Sequence, residues 1–487
     1  MNSYLLNRAL GSVAPQVFHV AQTERLVHSL EPAPGIRFSS RRAAPSDRLR
    51  DDTTSTPNNS AGEDFAHKSG VTCLAIDQFE GRYMVSGGAD PSIRLWDLEN
   101  RGSEPEHIYR ACASVSKPSH SNAHTHAITS LSIYPFDPIP STIFSTSHDR
   151  TLKWSALHSP DIPPIHTFNL DCTPYAHSFS TVPSSLLLVA VATSERSVRL
   201  VDLRSGLATH GLPGHNGAVL SVEWAPHNPY LLASGSVDNR VIMFDVRKGG
   251  HNSAIATFDM DDPVGLVPPG AGQVPASYQP RPAFSPVSRA HNGPVTGVRW
   301  TSDSKYIVTT GQDSRIRVWD TASGANTLVH FGPRVRNSTS SHLAERAPLI
   351  VPKQIMTTGH ETLLWPNFND QDDRGEILML ELREGTFVKR LRVPGVATTS
   401  RARGLSTALS AARINDLAWR GNGATGAGIE LFSAHGDGTI RTWASHDPDA
   451  EPDEEEEAAE ASRKRKRDVL EDIYKGFVGA ETGISYT

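Results

Sequence analysis

Cysteine is scarce in this chain of 487 residues, which contains only Cys73, Cys112 and Cys172. Three scattered thiols exclude a disulfide framework and a Cys-x-x-Cys metal site, and they suit a reducing, intracellular compartment. No apolar run approaches the roughly 18 residues of a membrane-spanning helix. The start of the chain also lacks the basic residues and long apolar core of a signal peptide. We therefore expect a protein that is neither secreted nor embedded in a membrane.

An excess of positive charge is also missing. The chain has 47 Lys and Arg against 53 Asp and Glu, which gives a net charge of −6. Strong binding to the phosphate backbone of nucleic acid needs a positive surface, so we expect no strong direct nucleic-acid binding. The hydrophobic content of 38% is ordinary for a folded protein and allows a large packed core.

The composition changes three times along the chain. Apolar residues near helical spacing begin the sequence, Leu5, Leu6 and Leu10 among them, and a polar stretch with hardly any apolar residues follows. Short β-branched runs broken by Gly, Asn, Asp and Pro then predict many short strands. The predicted parts are a helical segment at 1–38, a flexible linker at 39–65, a strand-rich body at 66–445 and a charged, disordered tail at 446–487. Within the tail, apolar residues near helical spacing in Val469–Gly479 indicate a short docking helix.

A five-residue block recurs in the body, with a Ser or Thr four residues before an Asp. It reads SGGAD, STSHD, SGSVD, TTGQD and SAHGD, and a short apolar strand ending at an aromatic residue follows each copy. In four copies a His lies 22 to 25 residues before the Asp. This is the GH…WD signature of a propeller blade. The repeated positions are His67, Ser86, Asp90, Trp96, His124, Ser145, Asp149, His215, Ser234, Asp238, His291, Thr309, Asp313, Trp319, Ser433, Asp437 and Trp443.

The spacing of the marks predicts the number of blades. With Glu195 as a degenerate mark, the steps are 59, 46, 43, 75 and 124 residues. One blade takes about 40–45 residues, so the last step holds two blades. The unmarked blade lies between Asp313 and Asp437, with strands expected at 348–358, 362–366, 376–382 and 387–393. The sequence therefore predicts an all-β, seven-bladed WD-repeat propeller.

The repeated polar residues are expected to be structural. Both faces of a blade are packed against neighbours, so a buried His, hydroxyl, Asp and Trp must satisfy one another's hydrogen bonds. The same residue types could form a nucleophile, a base and an orienting carboxylate. A catalytic group is needed only once, however, and this one recurs, so we expect neither an enzyme nor a cofactor. Metal binding by His124, His126 and His148 is the weaker alternative, since no acidic or thiol spacing supports it.

Two arginines follow the ends of third strands in successive blades. FDVR (Phe244–Arg247) and VDLR (Val201–Arg204) place Arg247 and Arg204 two positions beyond an Asp, so both are expected on the same face of the propeller. Arginine offers a planar set of donors that suits carboxylates and carbonyls of a partner protein. The alternative is that both side chains simply face solvent.

Three stretches of the body are more distinctive than the rest. They are EGRYMVSGGADPSIRLWDLEN (Glu80–Asn100), LASGSVDNRVIMFDVR (Leu232–Arg247) and VTTGQDSRIRVWDTASGANTLVHFG (Val308–Gly332). These stretches resemble the Cockayne syndrome group A family, WD-repeat substrate receptors of cullin-RING ubiquitin ligases, and weaker similarity covers most of the body. The similarity in the GRYM and GANTLV segments exceeds what generic repeats require.

The resemblance implies a non-catalytic receptor. It would dock on the damaged-DNA-binding adaptor subunit of the ligase through the N-terminal helix, with Leu5, Leu6 and Leu10, and through the undersides of the blades. It would bring the ligase to stalled RNA polymerase and to the Cockayne syndrome group B remodelling ATPase in transcription-coupled nucleotide-excision repair. Arg247 matches the family's WDxR docking motif, and Arg204 matches the companion position one blade earlier.

The sequence departs from the family in places. The second blade reads TLKWSA without a WD pair, Val201 replaces an aromatic residue and Phe244 replaces the Trp of WDxR. The role of the insertion at 259–286 stays open. So does a competing interpretation, in which the chain is a nuclear WD-repeat scaffold for chromatin or RNA-processing assemblies and does not depend on Arg247.

The tail joins an acidic block to a compact basic one. RKRKR, formed by Arg463, Lys464, Arg465, Lys466 and Arg467, has the composition of a nuclear import signal. The alternative is a solvated charge run, which is common for such blocks. Together with the resemblance, the basic block leads us to expect the nucleus as the site of action.

Overall fold

The fold is described by a computed structural model. It covers residues 11, 23–42, 65–99, 106–117, 120–137, 139–157, 161–183, 187–265, 284–285, 287–337, 348–351, 361–368, 375–393, 413–421 and 429–445. Leu5, Leu6, Leu10, the disordered tail predicted at 446–487 and its import sequence lie outside these residues. Within them, no helix is long and apolar enough to cross a membrane.

Two short strands precede the repeated body. They are β1 (Leu30–Pro32) and β2 (Ile36–Arg42). A short α-helix at residues 23–28 comes before them.

The body forms seven sheets in chain order, which confirms the predicted seven-bladed propeller. Blade 1 holds β3 (Val71–Ile76), β4 (Tyr83–Gly88), β5 (Ile93–Asp97) and β6 (His107–Val115). Blade 2 holds β7 (Ile128–Ile133), β8 (Thr142–Ser147), β9 (Thr151–Ala156) and β10 (Pro164–Asn169). Blade 3 holds β11 (Pro174–Phe179), β12 (Leu188–Thr193), β13 (Ser197–Asp202) and β14 (Leu207–Pro213). Blade 4 holds β15 (Val219–Trp224), β16 (Leu231–Ser236), β17 (Val241–Asp245) and β18 (Ala254–Thr257).

The remaining blades are less regular. Blade 5 has β19 (Val295–Trp300), β20 (Tyr306–Gly311) and β21 (Arg315–Asp320). Blade 6 has β22 (Leu349–Ile350), β23 (Thr362–Phe368), β24 (Gly375–Glu381) and β25 (Phe387–Arg392), within or close to the segments expected for the unmarked blade. Blade 7 has β26 (Ile414–Arg420), β27 (Glu430–His435) and β28 (Ile440–Ser445).

The hydrophobic core is divided among the seams between blades. One cluster joins Met84 and Trp96 of blade 1 to Phe432 and Ile440 of blade 7, and similar clusters fill the other seams. Both faces of each middle strand are covered, so these strands read as continuous runs of apolar and small residues rather than as an alternation.

The N-terminal segment closes the ring. Strand β1 pairs antiparallel with β28 as the outer strand of blade 7, and β2 pairs parallel with β6 as a fifth strand of blade 1. Phe38 is buried, stacked on Tyr109 at 4.9 Å and edge-on to Trp96 and Phe432.

This arrangement corrects the prediction for the start of the chain. Residues 30–38 were expected to continue a helical segment and the residues from Ser39 to begin a linker, yet β1 and β2 occupy 30–32 and 36–42. The physical reason is non-local: the outer edges of β28 and β6 offer unpaired backbone groups, and these are satisfied by strands far away in sequence.

The insertion at 259–286 begins against blade 5. Phe258, just before it, packs against Trp319 with ring centres 5.3 Å apart, and Asn326 donates its backbone N–H to the carbonyl of Asp262 at 2.9 Å. Residues 259–262 therefore run along the outside of the three-stranded sheet.

Candidate functional site

The hydrogen-bond network of blade 1 joins the four repeated residue types. Trp96 Nε1 donates to Ser86 Oγ at 2.9 Å, and Ser86 Oγ lies 2.8 Å from His67 Nε2. His67 Nδ1 lies 3.1 Å from Asp90. Because the ionised Asp90 carboxylate can only accept, the N–H of the neutral imidazole lies on Nδ1 and points toward it. Nε2 then accepts the proton of the Ser86 hydroxyl, whose oxygen accepts from the indole.

Blade 5 repeats the same network, and blades 2 and 4 keep its His, Ser and Asp. The His–hydroxyl and His–Asp distances are 2.8 and 3.0 Å for His291, 2.9 and 2.8 Å for His124, and 2.8 and 3.2 Å for His215. In blade 5 Trp319 donates to Thr309 at 2.9 Å. In blade 4 the buried Phe244 fills the space of the indole and offers no donor.

Burial controls the protonation of these groups. Desolvation lowers the pKa of His67, His124, His215 and His291, and the hydrogen bond to the partner Asp only partly opposes it. Burial alone would raise the pKa of Asp238. Hydrogen bonds from His215 and from the Asn216 backbone, with the charge of Arg240, outweigh it and lower that pKa to about 2. The network therefore stays a neutral His beside an ionised Asp.

Trp154 of blade 2 lies outside the network. Ser145 pairs with Lys153 across the sheet, whereas Trp154 pairs with Phe144, so the Trp is displaced by one residue and points to the opposite face. Its ring stacks on Phe144 at 5.7 Å, and its buried Nε1 has no hydrogen-bond partner. The signal was present in the sequence, since this Trp follows the Asp by five residues rather than six.

Blade 7 has a histidine that the repeat pattern missed. No His precedes Asp437 at the usual spacing, but His435 Nε2 lies 2.9 Å from Ser433 Oγ, and Trp443 donates to the same hydroxyl at 3.1 Å. In blade 1 the corresponding strand position is Gly88, where a Cβ would collide with His67 and Asp90. The strand histidine of blade 7 therefore takes the space that the loop histidine takes in blade 1.

A basic residue also supports several of these sites. It lies four residues after the acidic residue of the repeat, a regularity that the repeat pattern described above does not include. Arg317 donates to Asp313 at 2.8 Å, Arg441 to Asp437 at 3.1 Å and Arg199 to Glu195 at 3.0 Å. Because histidine and guanidinium partners occupy the carboxylates, the sites are built to hold the blade together.

The two candidate docking arginines follow β13 and β17 of adjacent blades. Arg247 makes a bidentate pair with Asp245, at 3.0 and 2.8 Å, and its guanidinium carbon lies 4.6 Å from the centre of the Tyr230 ring. Its side chain is still 60% exposed. Arg204 is exposed, and its backbone N–H is held by Asp202 at 2.9 Å. The stacked Arg247 is thus oriented before any partner arrives.

We call this side of the propeller the arginine face, defined by Arg204 and Arg247. The turns between first and second strands and between third and fourth strands all lie on it, because neighbouring strands are antiparallel. Exposed apolar residues in or beside those turns are Phe79 in blade 1, Ile139 in blade 2 and Leu207 in blade 3. Charge matching and apolar burial are thus both available on one face.

A third arginine on this face was missed because blade 6 has no WD pair. Arg383 follows Glu381 by two residues at the end of β24, just as Arg247 follows Asp245. It is exposed, and its guanidinium carbon lies 5.7 Å from the centre of the Tyr306 ring of blade 5.

A metal site finds no support in the described part of the chain. There, no group of three or more His, Cys, Asp and Glu side chains is placed to hold an ion. His124, one of the three histidines considered from sequence, is bonded to Asp149 and Ser145 in the blade 2 network.

Comparison with known proteins gives one family model and several relatives. The model described as WD domain, G-beta repeat, matches residues 62–97, 116–154, 206–245 and 284–320, which fall on blades 1, 2, 4 and 5. The chain is 30% identical over 320 residues to the WD repeat-containing protein ATCSA-1 of Arabidopsis thaliana. That alignment covers 54% of this chain and 69% of the plant protein.

Other relatives carry a different description. The chain is 29% identical over 204 residues to the ribosome biogenesis protein ytm1 of Aspergillus clavatus, covering 38% of this chain and 40% of that protein. It is 26% identical over 233 residues to the ribosome biogenesis protein WDR12 homolog of Anopheles gambiae, covering 44% and 52%. The chain therefore spans about half, or less, of the length of these two relatives.

Proposed function

Because the chain belongs to the WD-repeat family, we propose that it is a non-catalytic substrate receptor of a cullin-RING ubiquitin ligase. It acts in transcription-coupled nucleotide-excision repair, in the nucleus, as the Cockayne syndrome group A family does. WD-repeat propellers typically serve as rigid binding platforms, which fits a receptor that leaves catalysis to other subunits.

One observation carries this proposal: Arg204 and Arg247 follow the third strands of neighbouring blades on the same face and remain exposed. Arg247 is held between Asp245 and Tyr230, so little side-chain freedom is lost when it meets a carboxylate or carbonyl of a partner. Phe79, Ile139 and Leu207 add apolar area on the same face. The damaged-DNA-binding adaptor of the ligase is the proposed partner there, and Leu5, Leu6 and Leu10 are proposed to add a second contact.

Recruitment is the proposed role of the remaining surface. The receptor would bring the ligase to stalled RNA polymerase and to the Cockayne syndrome group B remodelling ATPase, and would promote their ubiquitylation. The similarity to ATCSA-1 over 69% of that protein supports this reading.

The test is the affinity of the full chain for the purified adaptor. We expect Arg204→Ala/Arg247→Ala to weaken binding about tenfold or more, equivalent to about 1.4 kcal/mol. The matched control is Lys117→Ala/Arg196→Ala, which removes two exposed basic residues from loops on the opposite side. Equal affinity for the wild type and the Arg204→Ala/Arg247→Ala variant, or no binding by the wild type, would refute the proposal.

The N-terminal contact needs a deletion that spares the fold. Removing residues 1–38 would also remove β1, the whole of the short helix at 23–28 and the buried Phe38. Removing residues 1–22 keeps all three. We expect this shorter deletion to weaken adaptor binding about tenfold while leaving the melting temperature unchanged.

A second candidate function is a nuclear scaffold in an RNA-processing or chromatin assembly. The relatives described as ribosome biogenesis proteins favour the RNA-processing form. This candidate predicts sedimentation with ribosome precursors that is unaffected by Arg204→Ala/Arg247→Ala. The ligase-receptor function predicts no such sedimentation.

A further inference from the structure

Blades 5 and 6 expose far more basic than acidic side chains in the part of the chain that the structure describes. Among residues 259–262, which run along the outside of blade 5, and the described residues from 295 to 393, seven exposed side chains are basic and two, Asp261 and Glu384, are acidic. The basic ones are Lys305 and six arginines, Arg315, Arg334, Arg336, Arg383, Arg390 and Arg392. Of these, Arg390 is paired with Glu376 at 3.1 Å. The described residues of blade 1, from 65 to 117, expose three basic and three acidic side chains, so the imbalance is local.

Apolar side chains are exposed within the same surface. Leu328 is 62% exposed, and Phe387 and Val388 are each 39% exposed. Contact across the seam joins the two blades, since Arg334 lies 4.4 Å from the centre of the Phe387 ring and Gly385 packs on the backbone of His330. We call this surface the blade 5–6 rim, defined by Leu328, Arg334, Phe387 and Arg392, with Val388 beside Phe387.

The backbone holds Leu328 outward at a cost. Its φ is +58°, in the left-handed region that non-glycine residues seldom adopt, and Asn326 fixes the turn by accepting the Leu328 N–H at 3.1 Å. A leucine kept exposed in a disfavoured conformation is typical of a binding surface rather than of a merely solvated loop.

The side chains discriminate between two kinds of partner. Bare cationic charge would suit nucleic acid, but sequence-tolerant binding of single strands also needs free aromatic faces for stacking. One face of Phe387 is already covered by Arg334, and Leu328 and Val388 have no flat face to offer. Arginines beside aliphatic groups suit carboxylates alternating with apolar side chains.

We propose that the blade 5–6 rim binds an acidic protein segment that also carries apolar side chains. This surface goes beyond the proposed function, because it lies on the outside of blades 5 and 6 and its use does not depend on the adaptor. In a ligase receptor it would serve to select a substrate or cofactor protein. In a scaffold it would hold an assembly partner.

The test uses the full chain and a fluorescein-labelled peptide of 20 residues made of Asp, Glu, Leu and Phe in equal numbers. A second peptide replaces Asp and Glu by Asn and Gln, and a single-stranded oligonucleotide is the third probe. We expect binding of the acidic peptide that weakens with added salt, and binding about tenfold weaker for the neutral peptide.

Two variants locate the site. Arg334→Glu/Arg392→Glu is expected to weaken binding of the acidic peptide at least tenfold. Lys117→Glu/Arg196→Glu, which makes the same change in net charge elsewhere, is expected to leave that binding unchanged. Equal loss in both variants, or no binding of the acidic peptide, would overturn the proposal. Tighter binding of the oligonucleotide, lost in Arg334→Glu/Arg392→Glu, would replace the protein partner by nucleic acid. The adaptor assay is independent of all three probes, so failure here leaves the proposed function standing.

Discussion

Removing the carboxylate of Asp238 tests the structural role of the repeated network. Asp238 accepts hydrogen bonds from the Asn216 backbone at 2.8 Å, from His215 Nδ1 at 3.2 Å and from the Arg240 backbone at 3.1 Å. Its side chain is 9% exposed and that of His215 is fully buried, so water cannot replace the lost acceptor for the imidazole. Asp238→Ala therefore leaves the His215 N–H without an acceptor and weakens the turn that positions it.

The magnitude follows from the groups left without a partner. A buried unsatisfied donor costs about 1–3 kcal/mol, and breaking a buried charge pair costs about 3–5 kcal/mol. Arg240 also loses its charge partner at 3.5 Å, but its guanidinium still donates to the carbonyl of Gly214. We expect Asp238→Ala to lower the free energy of unfolding by about 3 kcal/mol. Asp238→Asn, which keeps an oxygen for the Asn216 N–H, should cost less.

The assay is urea unfolding followed by tryptophan fluorescence and by circular dichroism, with coincident transitions as the check for a single cooperative step. Asp202→Ala is the matched control. The Asp202 carboxylate also accepts a backbone N–H in a turn, that of Arg204, but this hydrogen bond is exposed to solvent. We expect the control to change stability by about 0.5 kcal/mol or less. If Asp238→Ala is no more destabilising than Asp202→Ala, the buried hydrogen bonds do not carry the stability assigned to them.

Two further predictions concern the same networks. The pKa values of the four buried loop histidines are lowered by desolvation, so the unfolded chain, with ordinary values near 6.5, binds more protons than the folded chain in mild acid. The stability that these neutral histidines contribute is therefore fully present above about pH 6.5 and should be lost as the pH drops below it. A urea midpoint that increases when the pH is lowered from about 7 to about 5 would contradict this. Trp319→Phe removes the donor to Thr309 and should lower the free energy of unfolding by about 1–2 kcal/mol. Trp154→Phe removes an indole N–H that has no partner and should lower it by less. Equal losses of stability in thermal unfolding would show that the hydrogen bond does not account for the difference.

Much of the fold could be predicted because blades are local units. Each mark, such as Ser86 and Asp90, lies within one stretch of about 40 residues, and burial on both faces makes the polar pattern recur. The unmarked sixth blade was also predictable, since the distance from Asp313 to Asp437 leaves room for it. Similarity to WD-repeat relatives follows from the same marks.

The candidate site was less predictable. Arg204 and Arg247 could be placed on one face from their spacing after β13 and β17. Arg383 was missed because Glu381 stands where blades 1, 3, 4 and 5 have Asp and no aromatic residue precedes it. His435 was missed because it lies in the strand instead of the loop, and only the packing shows that it fills the space occupied by His67 in blade 1.

The sequence by itself determined the class of fold, the number of blades and the identity of most members of the buried networks. These depend on short-range spacing, and a one-residue displacement such as that of Trp154 can be read from the count of residues after the Asp. The tertiary structure decided that residues 30–42 close the ring rather than form a helix and a linker, and that the arginines of blades 5 and 6 share a surface with Leu328 and Phe387. Those outcomes join residues far apart along the chain, where backbone pairing at a sheet edge and packing across a seam, rather than local propensity, set the lowest free energy.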